Sequence, residues 1–453
     1  MAANDGSSTV ALSARTTTVM LLASVLPLID SSLVNVLLPV VSNDLGAPKS
    51  SAQLGVSGYM LAATVGIILS TTCIRRFGTR RVWLGSVVAF AAASAAVGLA
   101  ANLPVFVIAR VVQGTACGFI MPAVQQVVVQ TVGREGMRSA LATIGLPAVV
   151  APAVGPLLGG IFVDAVGWRT LFLVNVPVAV IALVLAPAVL PRDNGNRVPL
   201  GLGQAVPAVL GMVGLLWVVS GAGSLPLWAV VVILGLSAVL VAVFTALDLR
   251  STTPLLDLSL YRGLSFAAVM VLCLVVGAVF YGTLLSTSLH VQGDLGQPAW
   301  IAGVLLGVQG VGAWAARSLI KGPWSSANAF VVIGSGLLVA AVGTLGVQSV
   351  GSWSAVAVVL LVLCSLVRGL GLGACTLLAL SAAYEVVDEA QTAAVGAHTR
   401  LMLQFGGALG TAVAGAWVSS AVGLGAAVAV VAACGAAAAG GVLLRTRRAS
   451  APA

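Results

Sequence analysis

Long apolar runs separated by short polar connectors fill almost the whole of this 453-residue chain. Fourteen of these runs approach or exceed the roughly 20 residues that an α-helix needs to cross a bilayer. They far exceed a barrel strand, so the pattern predicts an all-α polytopic membrane protein. The predicted spans lie near residues 18–41, 55–74, 82–101, 104–131, 139–163, 170–190, 203–221, 228–247, 264–287, 299–318, 329–347, 355–379, 400–421 and 424–445.

Composition supports the same class. Hydrophobic residues make up 60% of the chain, charged residues only 7%, and the mean hydropathy is +1.13; a soluble domain carries about 25% charged residues. The net charge of +9 does not indicate a nucleic-acid partner, because the basic residues lie in connectors and form no stripe beside aromatic residues. The expected surroundings are membrane lipid.

The basic residues predict the orientation. With residues 1–17 cytoplasmic, seventeen Lys and Arg residues fall on the inside and only Lys49 and Arg169 outside, which places both termini in the cytoplasm. Residues 1–15 are polar and the first run is long enough to span, so no cleavable signal peptide is evident. The inside residues are Arg15, Arg75, Arg76, Arg80, Arg81, Arg134, Arg138, Arg192, Arg197, Arg250, Arg262, Arg317, Lys321, Arg400, Arg445, Arg447 and Arg448.

Two long polar connectors divide the chain. They cover 191–200 and 249–262 and bracket the seventh and eighth spans. The expected division is a six-helix bundle over 1–198, two inserted helices over 199–250, and a second six-helix bundle over 251–453. A faint repeat fits, since both Arg110 and Arg368 precede a patch of small residues inside a span, as in transporters built from repeated halves.

Asp30 is the only acidic residue deep inside a predicted span. A charged Asp at the centre of a spanning helix costs about 2.5–3.5 kcal/mol, so such residues mark ion or proton pathways and protonation removes most of the cost. Ser31 and Asn35 share its helix face, although they can also simply bond the backbone. Pro27 lies one turn earlier and favours a kink.

The fourth span carries a matching polar face. A rise of about 1.5 Å per residue places Arg110 within about 8 Å of Asp30 in depth, within reach of the arginine side chain. The alternative is that Arg110 extends outward to the lipid headgroups. The face consists of Arg110, Gln113, Gly114, Cys117, Met121 and Gln125.

The fifth span presents small residues at every fourth position, beside several prolines. Such a ridge permits close helix approach in lipid, and the prolines add bends. The ridge runs through Thr143, Pro147, Ala151, Gly155 and Gly159, beside Pro152, Pro156 and Gly160.

Nothing in the sequence predicts a metal, a cofactor or an enzymatic site. The six cysteines lack C-x-x-C spacing, and His290 and His398 have no companions at ligand spacing. The acidic cluster of Glu385, Asp388 and Glu389 is interpreted as a solvated connector. No phosphate-binding loop occurs, so energy is expected from an ion gradient.

Five motifs in order resemble the drug:proton antiporters of the major facilitator superfamily, in their fourteen-helix branch. The resemblance covers essentially the whole chain and is strongest over residues 25–180. The motifs are LPLIDSSLVNVLLPVV around Asp30, RVVQGTACG from Arg110, AVGPLLGG over 153–160, WRTLFLVNVP over 168–177 and PLLDLSLYR over 254–262.

The resemblance implies roles for particular residues. It links Asp30 to proton coupling, Arg110 to the proton path, and Gly155, Pro156, Gly159 and Gly160 to the antiporter motif of exporters. It also implies a gating loop after the second span, formed by Arg75, Arg76, Gly78, Arg80 and Arg81. Here the chain departs from the family's Gly-x-x-x-Asp-Arg-x-Gly-Arg-Arg pattern, because Arg75 replaces the Asp and Thr71 the first Gly. The gating contact is therefore expected to differ or be weaker.

The resulting expectation is a proton-coupled exporter of small amphipathic or lipophilic compounds, working by alternating access as a monomer in the bacterial inner (cell) membrane. Asp30 alone offers no second fixed charge for a dication, which favours monovalent, zwitterionic or neutral cargo. A proton-linked importer or facilitator of a small nutrient, and a non-transporting scaffold, stay as alternatives. Candidates for the substrate cavity are Ser31, Asn35, Gln113, Cys117, Met121, Gln125, Gln309 and Arg368.

Overall fold

The structure is a computed structural model. It describes residues 13–416 except 145, 197–198, 221–224, 253, 322–323, 325–326 and 388–391, together with 435–436 and 439. Every regular element in this part of the chain is helical. The helices are α1 (Ala14–Asp44), α2 (Lys49–Ala52), α3 (Leu54–Phe77), α4 (Thr79–Gly98), α5 (Leu103–Ile144), α6 (Leu146–Leu173), α7 (Asn175–Leu185), α8 (Leu202–Ser220), α9 (Leu227–Leu249), α10 (Leu264–Leu289), α11 (Ala299–Lys321), α12 (Ala329–Gln348), α13 (Ala355–Glu385) and α14 (Thr392–Ala416).

Eleven stretches of the described chain have the length and apolar composition needed to cross a bilayer. The prediction of a helical membrane protein is thereby confirmed, whereas the count of fourteen spans stays a prediction. The last predicted span, 424–445, lies almost entirely outside the described residues, as does Cys434.

Several element boundaries differ from the sequence prediction. Residues 132–138, predicted as a connector, are helical, and α5 runs on to Ile144. Gly133 and Gly136 each weaken a helix by only about 1 kcal/mol, which does not end it. The turn between the fifth and sixth predicted spans falls at Gly167, where the backbone breaks α6 with φ +76°.

The helices pair in a repeated order. In α1–α7, which we call the first group, α1 packs on α6, while α3 and α4 pack on α5. In α10–α14, the second group, α10 packs on α14, while α11 and α12 pack on α13. The second group therefore repeats the pairings of the first with its helices in the same sequence order.

The two groups meet mainly through α6 against α11 and α3 against α14. A Cβ added to Gly160 would lie 2.7 Å from the Ala299 carbonyl oxygen, and one added to Gly303 would lie 2.6 Å from that of Pro156. Gly155, on another side of α6, approaches the Ile29 carbonyl of α1, at 2.8 Å from an added Cβ. The small residues of the fifth span thus allow close contact with two helices, as the ridge predicts.

The hairpin of α8 and α9 lies at the periphery. The helices pack on each other, α8 also contacts α3 and α14, and only 11% of the most apolar window of α9 is buried. Apolar side chains such as Leu227 and Trp228 are 78% and 70% exposed, which suits contact with lipid tails.

Candidate functional site

Asp30 lies inside the first group, and its side chain is fully buried. Its carboxylate accepts three hydrogen bonds from two other helices: from Arg110 Nη1 and, at 3.0 Å, Gln113 Nε2 of α5, and, also at 3.0 Å, from Asn175 Nδ2 of α7. The predicted approach of the first and fourth spans is therefore present. All four side chains belong to one buried polar cluster, which we call the Asp30 cluster.

Arg110 points into the bundle, so the alternative of an outward-reaching side chain is wrong. Its guanidinium is fully buried, donates from Nε to the Gly55 carbonyl at 3.2 Å and from Nη1 to Gln113 Oε1 at 2.7 Å, and lies 4.1 Å from the centroid of the Tyr59 ring. Its Nη2 has no hydrogen-bond partner among the described atoms, and the face of the Tyr59 ring offers the guanidinium an electrostatic contact.

Two members of this site were missed by the sequence analysis. Asn175 begins α7, and Ser94 of α4 accepts from Gln113 Nε2 at 2.7 Å and from Asn175 Nδ2 at 3.4 Å. A single Asn in the apolar segment 168–177 was the available signal, whereas Ser94 is indistinguishable in sequence from other serines that bond their own helix.

The cluster stabilises a charge pair that lipid alone does not tolerate. Pairing and hydrogen bonding offset the desolvation of both ions, and removing one partner of such a buried pair costs about 3–5 kcal/mol. Protonation of Asp30 cancels its charge without removing the side chain. Loss of either charge would therefore weaken the link between α1 and α5.

The other polar residues of the first span mostly bond the backbone. Ser31 Oγ donates to the Leu28 carbonyl at 3.0 Å, and Asn35 Nδ2 donates to the Ser31 carbonyl at 3.1 Å. Asn35 Oδ1 has no partner among the described atoms.

The remaining cavity candidates lie in three places. Cys117 is buried on α5, and Met121 and Gln125 further along the same helix are half-buried. Gln309 is buried on α11 with its Oε1 unpartnered. Arg368 is fully buried on α13, where Nη1 donates to Thr287 Oγ1 of α10 at 2.7 Å. Arg368 is therefore not part of the Asp30 cluster.

Two residues near the start of α14 are deeper than predicted. Arg400, which the orientation count assigned to a connector, lies inside α14 and is half-buried, because the helix begins eight residues earlier, at Thr392. His398 is buried nearly two turns after the start of α14, with its Nδ1 3.3 Å from the Tyr261 hydroxyl.

The loop between α3 and α4 receives a carboxylate that the sequence analysis did not assign to it. Asp193, in the connector after α7, accepts hydrogen bonds from the Thr79 and Arg80 amides at 2.6 and 3.2 Å, and from Gln130 Nε2 at 3.2 Å. These amides belong to the first turn of α4, whose donors have no partner inside the helix. Asp193 therefore caps α4 from a distant segment.

The geometry of this loop requires its glycines. Gly78 has φ +86°, and an added Cβ would lie 2.8 Å from the Asp193 carbonyl oxygen; a Cβ at Gly195 would collide with the Arg76 carbonyl. The Asn196 amide donates to the Arg75 carbonyl at 2.7 Å. Among the remaining basic residues of the loop, Arg80 is half-buried and Arg81 is exposed.

Hydrogen bonding sets the ionisation of Asp193. Partial burial raises the pKa of this carboxyl, but the hydrogen bonds from Thr79, Arg80 and Gln130 outweigh burial and hold the pKa below its ordinary value. Asp193 is therefore a carboxylate at neutral pH, and its charge also favours the N-terminus of α4.

Comparisons with known proteins identify the family and the relatives that this chain resembles. The family model described as "Major Facilitator Superfamily" matches residues 20–411. The chain is 31% identical over 415 residues to a "Multidrug resistance protein B homolog" of Mycobacterium tuberculosis, covering 88% of this chain and 75% of the relative. It is 28% identical to the "Tetracenomycin C resistance and export protein" of Streptomyces glaucescens, covering 87% and 74%.

Solved structures show the same fold. A POT family transporter in complex with a thioalcohol-conjugated peptide superposes with a TM-score of 0.70 at 14% identity, covering 96% of both chains. The POT family transporter PepTSo gives a TM-score of 0.68 at 13% identity, covering 96% of this chain and 98% of the other. Together with the family match, these comparisons show that the chain is a membrane transporter that belongs to the Major Facilitator Superfamily.

Proposed function

We propose that this protein is a proton-coupled exporter of small amphipathic or lipophilic compounds, such as drugs or antibiotics, and that it acts as a monomer in the bacterial cell membrane. Asp30 is the residue that binds and releases the coupling proton. The observation that carries the proposal is the fully buried ion pair of Asp30 with Arg110, held by Gln113 and Asn175.

The proton acts through the contacts of the cluster. Ionised Asp30 holds Arg110 of α5 and Asn175 of α7 on one carboxylate. A proton on that carboxylate removes the charge pair and one acceptor position, so α1 and α5 lose their strongest link. Binding of a proton therefore favours a different packing of the first group, and a ligand that prefers one packing shifts the balance between them.

Contacts between the groups support alternating access. At the end that the charge distribution assigns to the outer face, Gln292 Nε2, just after α10, donates to the Val36 carbonyl of α1 at 2.9 Å. Near the same end, Gly160 of α6 packs on Ala299 and Gly303 of α11. These contacts suit a state closed toward the outside, whose counterpart would open there and release cargo.

The direction of transport and the class of cargo rest on similarity. Relatives named for multidrug resistance and for resistance to and export of tetracenomycin C favour export of lipophilic compounds. Asp30 is already neutralised by Arg110, so the buried cluster offers a dication no free carboxylate. The cargo is therefore proposed to be monovalent, zwitterionic or neutral.

Replacement of Asp30 tests the proposal in purified protein. Asp30→Asn keeps the shape of the side chain but cannot bind the coupling proton. We expect proteoliposomes with the parent to move a dye, chosen from a panel that includes ethidium and rhodamine, in response to an imposed pH gradient. Asp30→Asn should lose that response while retaining dye exchange without a gradient.

Asp44→Asn is the matched control, because Asp44 lies at the end of the same helix in a largely exposed ion pair with Arg169. The control should keep its response to the pH gradient. A response of Asp30→Asn equal to that of the parent would overturn the role of Asp30, and dye accumulation driven in the direction of the proton flow would favour an importer.

A further inference from the structure

Glycine contacts show which positions of α5, which carries Arg110, correspond to positions of α13, which carries Arg368. On α5, Gly114 and Gly118 press against the carbonyl oxygens of Tyr59 and Ala63 of α3, where an added Cβ would collide. On α13, two glycines with the same spacing press in the same way against α11. They are Gly369 and Gly373, which face the carbonyl oxygens of Gln309 and Ala313.

Matching Gly114 of α5 with Gly369 of α13 gives the equivalent positions of the two helices. Arg110 and Ser365 each lie four residues before the first glycine of their helix, and Gln113 and Arg368 each lie one residue before it. Both helices therefore carry one arginine and one uncharged polar residue, three positions apart. The order of the two is exchanged between the groups.

The surroundings of the two arginines differ in charge. In the first group the pair of Arg110 and Gln113 binds the carboxylate of Asp30. In the second group Arg368 has one described hydrogen bond, to Thr287, and none of the ion pairs in the described chain includes it. The sequence contains no Asp or Glu from 295 to 384, nor in 258–293.

Three donors in the second group lack partners. Nε and Nη2 of Arg368 and the Oγ of Ser365, one turn earlier on α13, form no hydrogen bond with the described protein atoms. Both side chains are fully buried, at 0% exposure. A buried guanidinium without a counter-charge costs several kcal/mol, and unpaired donors add to that cost.

From these observations we infer that Arg368 and Ser365 form a binding site for a small monovalent anion, chloride in the cell, which supplies the negative charge that Asp30 supplies in the first group. The weakly hydrated guanidinium and a hydroxyl are suitable donors for such an ion. A Cβ at Gly343 of α12 would lie 2.7 Å from the Arg368 Cβ, so α12 and α13 pack closely at the base of this side chain, and the occupant we infer is a single ion and not an organic anion.

Chloride-dependent stability of the purified full-length protein tests the site. Unfolding temperatures would be measured in sodium chloride and in sodium gluconate at equal ionic strength. We expect chloride to raise the unfolding temperature of the parent by on the order of 2 °C, saturating with concentration as expected for a bound ligand. Arg368→Gln should abolish the rise, and Ser365→Ala should reduce it by at least half.

Arg400→Gln is the matched control, because Arg400 is another partly buried arginine with an unpartnered nitrogen, on a different helix. It should retain the chloride effect. Equal unfolding temperatures of the parent in both salts, or an undiminished rise in Arg368→Gln, would overturn the inference. Either result would mean that these donors bind water and not chloride. If Arg368→Gln does not fold, binding of radiolabelled chloride decides: Ser365→Ala must bind less than the parent, and equal binding overturns the site.

Discussion

Asp30 and Asp193 each accept hydrogen bonds from three donors, but they differ in what protonation changes. Asp30 faces a guanidinium inside the first group, away from water, so a proton there removes a charge pair. Asp193 faces backbone amides at the start of α4, at the edge of the bundle, so a proton there removes a helix cap. The first arrangement suits a coupling site, and the second suits a structural clamp on the loop between α3 and α4.

Replacement of Asp193 should destabilise the protein in a way that depends on pH. Because the pKa of Asp193 in the folded protein lies below its ordinary value of 3.8, the carboxylate stabilises the fold fully above that value. This contribution is lost as the pH falls through the lower folded pKa. Asp193→Ala should cost about 0.5–2 kcal/mol at pH 7, as for other helix caps, measured as a lower unfolding temperature.

The difference between Asp193→Ala and the parent should shrink as the pH falls below about 4 toward the lower pKa of the folded state, through which the parent also loses the charge. Asn194→Ala, an exposed neighbour in the same connector, should unfold like the parent at both pH values. A difference of the same size at acidic and neutral pH would show that the charge of Asp193 does not act in this way.

For single residues, the sequence identifies the charged members of a buried site better than the neutral residues that bond them. Asp30 and Arg110 are identifiable because few ionisable residues lie deep in apolar spans, and each needs the other. Asn175 is uncharged, so burying it does not carry the cost of an ionised side chain in a membrane. It reaches Asp30 only through the packing of α7. Asp193 lies more than a hundred residues from the loop it caps, so only the tertiary structure brings them together.

The helix α6 shows how small residues act as an element. Gly155 permits contact with α1 in the same group, while Gly160 permits contact with α11 in the other group. A helix with bulky residues at both positions would be held away from both neighbours. The ridge therefore couples the packing inside the first group to the contact between the groups.

Gly160→Ala should weaken the contact between α6 and α11. The added methyl would lie 2.7 Å from the Ala299 carbonyl and 3.0 Å from the Gly303 Cα, both backbone atoms that cannot rotate away. Overpacking of this kind costs about 1–3 kcal/mol, measured as a lower unfolding temperature. Gly235→Ala on the peripheral helix α9 is the control, since nothing lies within 4 Å of its added Cβ.

The control should be unchanged or slightly more stable, because Ala favours a helix by up to about 1 kcal/mol over Gly. Gly160→Ala with the stability of Gly235→Ala would contradict close packing at this position. If transport by Gly160→Ala falls while its stability is unchanged, the ridge affects movement more than folding.

Hydrophobic patterning predicts the middle of each helix better than its ends. The start of α10 at Leu264 agrees with the predicted span, and its end at Leu289 lies two residues beyond it. Arg138 lies in a helical segment and Arg400 inside α14, although both were assigned to connectors. A charged residue is tolerated inside a long helix where that segment extends beyond the lipid or packs on protein, so charge alone does not mark a helix end.

Across the whole molecule, the two groups repeat the same helix pairings but not the same chemistry. One group encloses an acid and an arginine, and the other encloses an arginine with uncharged neighbours. The helical membrane fold follows from composition and span length. The division at 198 and 250 stays a prediction from the polar connectors, and the charge asymmetry between equivalent positions emerges only from the glycine register.

At the end predicted to face outward, Gln292 makes a polar contact that joins the two groups. Its Nε2 donates to the Val36 carbonyl and, at 2.8 Å, to Ser288 Oγ. Gln292→Ala should destabilise the state closed toward the outside by about 1 kcal/mol. The fraction of molecules open on that side should then rise roughly fivefold. The measurement uses a variant in which the only cysteine replaces Met60, and a membrane-impermeant thiol reagent is added from outside. Met60 is fully buried, with its Sδ 3.0 Å from a Cβ added at Gly407 of α14.

Labelling of that cysteine should accelerate roughly fivefold in Gln292→Ala because the reagent reaches position 60 only when the groups part on that side. Gln297→Ala is the matched control: its amide donates at 3.0 Å to the Leu295 carbonyl, within the same short connector, and does not join the groups. Equal acceleration in both variants would mean that local loosening of the connector, not separation of the groups, admits the reagent. Unchanged labelling in Gln292→Ala would mean that the helix contacts of α6 with α11 and α3 with α14 hold this end closed by themselves.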